Sequence, residues 1–152
     1  MALDYKYTYS NLSSIFYNIL AWSAINMVFT SMVLACRKDG ISHDEFEKRY
    51  EQHLVLVEQL CGNAMPLKHT RYYPQHGGAD DKPIVLFGNN KEMKYDVIVT
   101  IEFEDEAAWQ KFGAILSEPE AAAKIAADED GFWDRNQMHV FNVGGVKVWE
   151  RK

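Results

Sequence analysis

The chain has 152 residues, 47% of them hydrophobic and 25% charged, which are the proportions of one globular domain rather than of a disordered or fibrous segment. Sixteen Lys+Arg against twenty-two Asp+Glu give a formal net charge of -6. That balance argues against a general nucleic-acid partner and against attachment to an anionic membrane surface.

The charges are unevenly placed: only Asp4 and Lys6 precede Arg37, so residues 7–36 carry none. A stretch of that length could span a bilayer, which takes about 20 apolar residues. Asn11, Ser13, Ser14, Asn18, Ser23, Asn26, Thr30 and Ser31 interrupt it, however, and no basic cluster flanks it, so no membrane span is expected. A signal peptide meets the same objection at Asn18, and Asp4 cancels Lys6 in the segment before it. The stretch divides instead. Residues 1–26 read as an N-terminal extension with one short amphipathic helix over about 11–24, carried by Ile15, Phe16, Ile19, Leu20 and Trp22. Residues 27–152 form the folded domain, opening with a buried strand over 27–36. Two cysteines, Cys36 and Cys61, make no disulfide framework, and a cytoplasmic location is expected.

After the turn at Gly40, Ser42-x-x-Glu45 has the form of a capping box, in which hydroxyl and carboxylate each satisfy a backbone N–H at a helix start. The helix places Phe46, Tyr50, His53, Leu54, Val57 and Cys61 on one stripe and stops near Gly62. A strand over 67–73 follows, with Leu67, His69, Arg71 and Tyr73 on one face. Residues 74–94 are an irregular excursion of lid character whose apolar centre, 83–87, is expected to be covered. The strand over 95–103 alternates Tyr95, Val97, Val99, Ile101 and Phe103 against Asp96, Ile98, Thr100 and Glu102. A helix from Glu104 turns Trp109, Phe112, Ile115 and Leu116 inward. A second capping box, Ser117-x-x-Glu120, with Pro119 in the first turn, starts a helix that ends near Gly131. A last strand covers 138–143. The order, β-α-β-β-α-β after an extra helix, is the split βαβ pattern of a ferredoxin-like α+β domain.

Two histidines stand out. His53 lies on the apolar stripe of the first helix one turn after Tyr50, a place where a lone His is often a satisfied core residue. His69, Arg71 and Tyr73 share one strand face. Turned outward they form a solvated edge; turned inward they bring a proton carrier, a carboxylate fork and a hydroxyl to one cavity. Asp96 is either an exposed strand-start residue or the orienter of a His. Trp109, Phe112, Phe132 and Trp133 are more often core than ligand contacts, yet a pocket for a flat aromatic ligand would use such rings. The five histidines show no His-x-His or His-x-x-x-His spacing, so no metal site is expected. There is no phosphate loop, Gly-x-Ser-x-Gly elbow or Cys-x-x-Cys, and no cofactor is expected.

Residues 34–46, then Tyr50-x-x-His53, Pro66-Leu-Lys-His-Thr-Arg71, Tyr95-Asp96 and Ser117-Glu-Pro-Glu-Ala-Ala122 before Phe132 resemble the EthD-type domain of the dimeric α+β barrel superfamily. More narrowly they are similar to fungal members of polyketide pathways, several of which decarboxylate aromatic polyketide acids. The resemblance implies a homodimer in which two sheets close into a barrel, without cofactor. It implies catalytic roles for His53 and His69, and a substrate-binding wall of Tyr50, Arg71, Tyr73, Asp96, Phe112 and Trp133. The expected activity is decarboxylation of an aromatic polyketide acid. The alternatives are dehydration or cyclisation in the same pocket, or a barrel that binds a small molecule without turnover.

Overall fold

The computed structural model describes residues 28–89 and 91–152. The N-terminal extension, with its expected helix over 11–24, lies outside the described residues. The domain is α+β and ferredoxin-like. The strands are β1 (Phe29–Ala35), β2 (Lys68–Tyr72), β3 (His76–Gly77), β4 (Lys82–Pro83), β5 (Val97–Phe103) and β6 (His139–Asn142), and the α-helices are α1 (His43–Cys61), α2 (Glu106–Ser117) and α3 (Pro119–Glu129). The main sheet runs β2-β5-β1-β6 with every neighbour antiparallel. Among the described residues no helix is long and apolar enough to cross a membrane.

The two faces of this sheet differ because side chains alternate along a strand. Ser31, Val33 and Ala35 of β1 and Val97, Val99, Ile101 and Phe103 of β5 turn toward the helices, where Val97, Val99 and Phe103 are fully enclosed. The register sets His69 opposite Ile101 and Arg71 opposite Val99, so both face the helix side. Thr30, Met32, Leu34, Ile98, Thr100, Phe141 and Tyr72 occupy the reverse face.

Helix α1 begins as its sequence predicts, with Ser42 Oγ accepting from the Glu45 amide at 3.2 Å. Phe46, Tyr50, His53, Val57 and Cys61 are its buried stripe. Phe46 and Phe132 pack in the core under the sheet with Val33, Val97 and Val99, each ring contributing roughly 2–3 kcal/mol by leaving water. A smaller cluster joins Val57, Cys61 and Ile125 to Phe112, Ile115 and Leu116 at the far end.

Two sequence expectations need correction. Ser117 does not cap the following helix: its hydroxyl donates back to the Gly113 carbonyl at 2.7 Å, so it closes α2, and Glu118 caps α3 without a side-chain bond. The serine remains inside the preceding helix because Pro119 already supplies the φ angle of a first turn. The apolar tip of the 74–94 excursion is not covered either, since Leu86 and Phe87 are 96% and 99% exposed. The excursion folds on itself as the β3–β4 hairpin, and the Ile84 amide donates to the Gln75 carbonyl at 2.8 Å. That bond ties the base of the loop and leaves its tip outside.

Candidate active site

Between the helices and the sheet lies a cavity of about 230 Å³, walled by Val33, Val57, Ile101, Phe103, Trp109 and Phe112. Its polar lining is confined to Ser31, Tyr50, His53, His69, Glu129 and Trp133. Ser31 enters through the strand alternation, and Tyr50 and His53 through the helical stripe. Trp133 is fixed by a short extension of β1: Arg37 bridges Trp133, the Lys38 amide donates to the Phe132 carbonyl at 2.8 Å and the Asp134 amide to the Cys36 carbonyl at 3.0 Å. The chain reaches this pairing through Gly131, where an added Cβ would lie 2.9 Å from Arg49 Nη1.

His53 is enclosed, with Nδ1 2.7 Å from Asp128 Oδ2. An ionised carboxylate only accepts, so Nδ1–H donates, which fixes the ring and leaves Nε2 on the cavity side, 3.8 Å from Glu129 Oε1. Arg135 holds that glutamate, with Nε at 2.6 Å from Oε2. Asp128, Glu129, Arg135 and Ser31 were not picked out by sequence reasoning. The signal available was the acidic end of α3 immediately before Gly131-Phe-Trp133, which by itself reads as a solvated helix terminus.

His69 is held differently. Arg71 Nη1 lies 3.1 Å from its Nδ1, and a guanidinium can only donate, so Nδ1 accepts and the proton sits on Nε2. Burial, then the Arg71 charge, lowers its pKa to about 4. His69 is therefore a neutral donor near pH 7 rather than a carried proton. Burial also raises the Tyr50 hydroxyl well above its usual range, so it too keeps its hydrogen.

Arg71 does not open its fork to the cavity. Nε and Nη2 donate to the two oxygens of Glu51 at 2.6 and 2.9 Å, and the Tyr73 hydroxyl joins the same carboxylate at 3.0 Å. Of the substrate-binding residues read from sequence, Tyr50, Phe112 and Trp133 line the cavity together with His53 and His69, whereas Arg71 and Tyr73 lie behind His69. Asp96 stands elsewhere. It is buried rather than at an exposed strand start, because Oδ2 accepts the Arg37 amide at 2.7 Å while Oδ1 meets His76 Nε2 at 3.1 Å and His43 Nδ1 at 3.6 Å. These three side chains are the described group whose donor atoms are close enough to hold a metal ion.

Two hydrogen-bond donors in the cavity wall have no partner: Ser31 Oγ and Trp133 Nε1 are both buried and unbonded. With the His69 Nε2–H and the Tyr50 hydroxyl they form a set of donors beside His53 and Glu129 in a chamber whose remaining wall is largely apolar, which suits the oxygens of a flat organic ligand.

Known proteins place this architecture. A crystal structure of an Arabidopsis thaliana protein superposes with a TM-score of 0.52 at 19% identity, covering 80% of this chain and 99% of that one. The solution structure of the Arabidopsis protein gives 0.50 at 20%, covering 81% and 92%. An ethyl tert-butyl ether D family protein from Bacillus halodurans gives 0.48 at 13%, covering 79% and 100%. For the two Arabidopsis structures, at these identities, the likeness is one of fold. None of the curated proteins matches the chain significantly. The EthD domain model matches residues 38–136, a span that holds α1, β2, β5, both later helices and the Phe132-Trp133 wall, and the chain belongs to the EthD domain family.

Proposed function

We propose that the protein is a cofactor-independent decarboxylase of an aromatic polyketide carboxylic acid. What carries the reading is the pairing of unpartnered donors, Ser31 Oγ and Trp133 Nε1, with the oriented His53–Asp128 dyad in one apolar cavity. The volume is below the roughly 300–1,000 Å³ usual for drug-sized ligands, which favours a compact fused-ring acid.

In this reading His69 Nε2–H, Ser31 and Trp133 bind the substrate's oxygens. The bond between the ring carbon and its carboxylate breaks, CO2 leaves, and the electron pair is accepted by a neighbouring carbonyl of the substrate, or by a phenol in its keto form, as an enolate. The apolar walls favour departure of the neutral product. His53, held by Asp128, gives a proton from Nε2 to the ring carbon and regains one from water, a step worth typically about 10² to 10⁴ in rate. Arg71 acts behind this by holding the His69 tautomer. Dehydration or cyclisation is the second reading, favoured by Glu129 lying beside His53 Nε2 as an additional base.

Assembly completes the picture. The reverse face of the sheet carries Met32, Leu34, Ile98, Tyr72 and Phe141, and a second copy related by a two-fold axis would cover it and close a barrel. Incubation of the protein with aromatic polyketide acids, followed by mass spectrometry, tests the chemistry. Loss of CO2 is expected, with His53→Ala lowering the rate at least about 100-fold. Loss of water would favour the second reading, and an unchanged rate in His53→Ala would remove both.

A further inference from the structure

None of the residues that line the cavity belongs to the cluster around Asp96, and the geometry points to that cluster as a separate site for a first-row divalent cation, best matched by zinc, held by His43 Nδ1, His76 Nε2 and Asp96 Oδ1. The three donor atoms lie within 4.8 Å of one another. Asp96 Oδ1 is 3.1 Å from His76 Nε2 and 3.6 Å from His43 Nδ1. Ligands about 2.0–2.1 Å from a tetrahedral ion stand about 3.3 Å apart, midway between these two values.

Hydrogen bonding leaves the same three atoms free. His76 Nδ1 lies 2.8 Å from the Pro74 carbonyl and donates to it, as a metal-bound imidazole commonly does with its far nitrogen. Nε2 then faces a carboxylate oxygen, and two bare acceptors at that distance repel unless a proton or a metal cation lies between them. His43 Nδ1 and His76 Nε2 are both buried without a hydrogen-bond partner, on side chains only 10% and 4% exposed. Asp96 Oδ2 is anchored on the Arg37 amide, which presents Oδ1 to the imidazoles.

The Arg37 guanidinium lies 3.6 Å from Asp96 Oδ1 but bonds Asp81 at 2.6 Å, and Asp81 in turn accepts the His43 amide at 3.0 Å. The imidazole rings stack at a centroid distance of 3.6 Å, and an ion would replace that stacking by splaying them toward a common point. Two imidazoles and one carboxylate suit zinc, cobalt or nickel better than calcium or magnesium. A polar crevice of about 290 Å³, lined by Arg37, Asp81, Lys82, Lys91 and Lys94, meets the cluster at Asp96. Sequence spacing could not reveal this site, because its ligands come from the start of α1, the β3–β4 hairpin and the residue before β5.

The test is titration of the chelator-treated full chain with Zn2+ by calorimetry and with Co2+ by visible absorption. One saturable equivalent per chain and a tetrahedral cobalt spectrum are expected. His76→Ala, on the hairpin, and His43→Ala should each weaken binding at least about tenfold, and His139→Ala, outside the cluster, should leave it unchanged. Circular dichroism confirms that each variant is folded, and His76→Ala answers the question even if His43→Ala is not. Absence of a saturable site, or binding that folded His76→Ala leaves intact, would overturn the assignment and leave a proton shared by the imidazoles as the occupant.

Discussion

Replacing His69 by Gln tests whether the cavity keeps this imidazole neutral. Burial, reinforced by Arg71, brings its pKa from 6.5 to about 4. In the unfolded chain His69 takes up a proton below about pH 6.5, whereas the folded protein refuses it until about pH 4. Throughout that interval the unfolded state binds more protons, so its contribution to stability is fully present above pH 6.5 and is lost as the pH falls toward 4. At about 1.4 kcal/mol per pH unit, the whole interval amounts to about 3 kcal/mol, a large part of the roughly 5–15 kcal/mol that stabilises a typical domain. Gln cannot titrate, and its carbonyl can still accept from Arg71. Urea unfolding followed by circular dichroism, for wild type and His69→Gln from about pH 7 down to about pH 4, should show the wild type losing about 3 kcal/mol more than the variant. Parallel curves would mean that His69 protonates as easily folded as unfolded, and its role as a fixed neutral donor would fail.

The remaining tests address individual groups. Ser31→Ala removes a buried hydroxyl without a partner, so it should raise the melting temperature by several degrees, at about 1 kcal/mol or more, while slowing decarboxylation; an unchanged or lower melting point would show the hydroxyl to be satisfied. Asp128→Asn should lower kcat about 10- to 100-fold with little change in melting temperature, because it releases the His53 ring without emptying the core. Burial and then the Asp96 charge push the Cys36 thiol up to about 11. Mass spectrometry should therefore find Cys36 unlabelled by iodoacetamide at mildly alkaline pH and labelled once urea unfolds the chain, and ready labelling of the native protein would contradict its placement.

Much of the fold was legible because local chemistry and long-range packing agree. The capping box at Ser42, the helical stripe from Phe46 to Cys61 and the alternation through Val97 to Phe103 each state a period that only one element satisfies, and the structure uses all three. Ser117 misled because a hydroxyl two residues before a proline can bond forward to start a helix or backward to end one, and the sequence is the same in either case. In the site, the inward face of His69 followed from parity once β2 was in register with β5. The engagement of Arg71 could not be read, since it depends on Glu51 lying on a helix twenty residues earlier. Asp128 was illegible for the same reason: its partner His53 is seventy-five residues away, and only the packing of α3 on α1 brings them together.

β1 has a demand on both of its sides. Ser31 and Val33 look into the cavity, and Thr30, Met32 and Leu34 look out from the reverse of the sheet. A helix such as α1 has an outer arc, including Glu47, Lys48 and Val55, that can change at little cost, but a central strand has no such reserve. Inserting one residue into β1 would send the cavity-facing side chains to the opposite surface and bring the outer ones inward. The cavity wall and the reverse face are thus written on alternate letters of the same seven residues, and change at one set is bounded by the fit of the other.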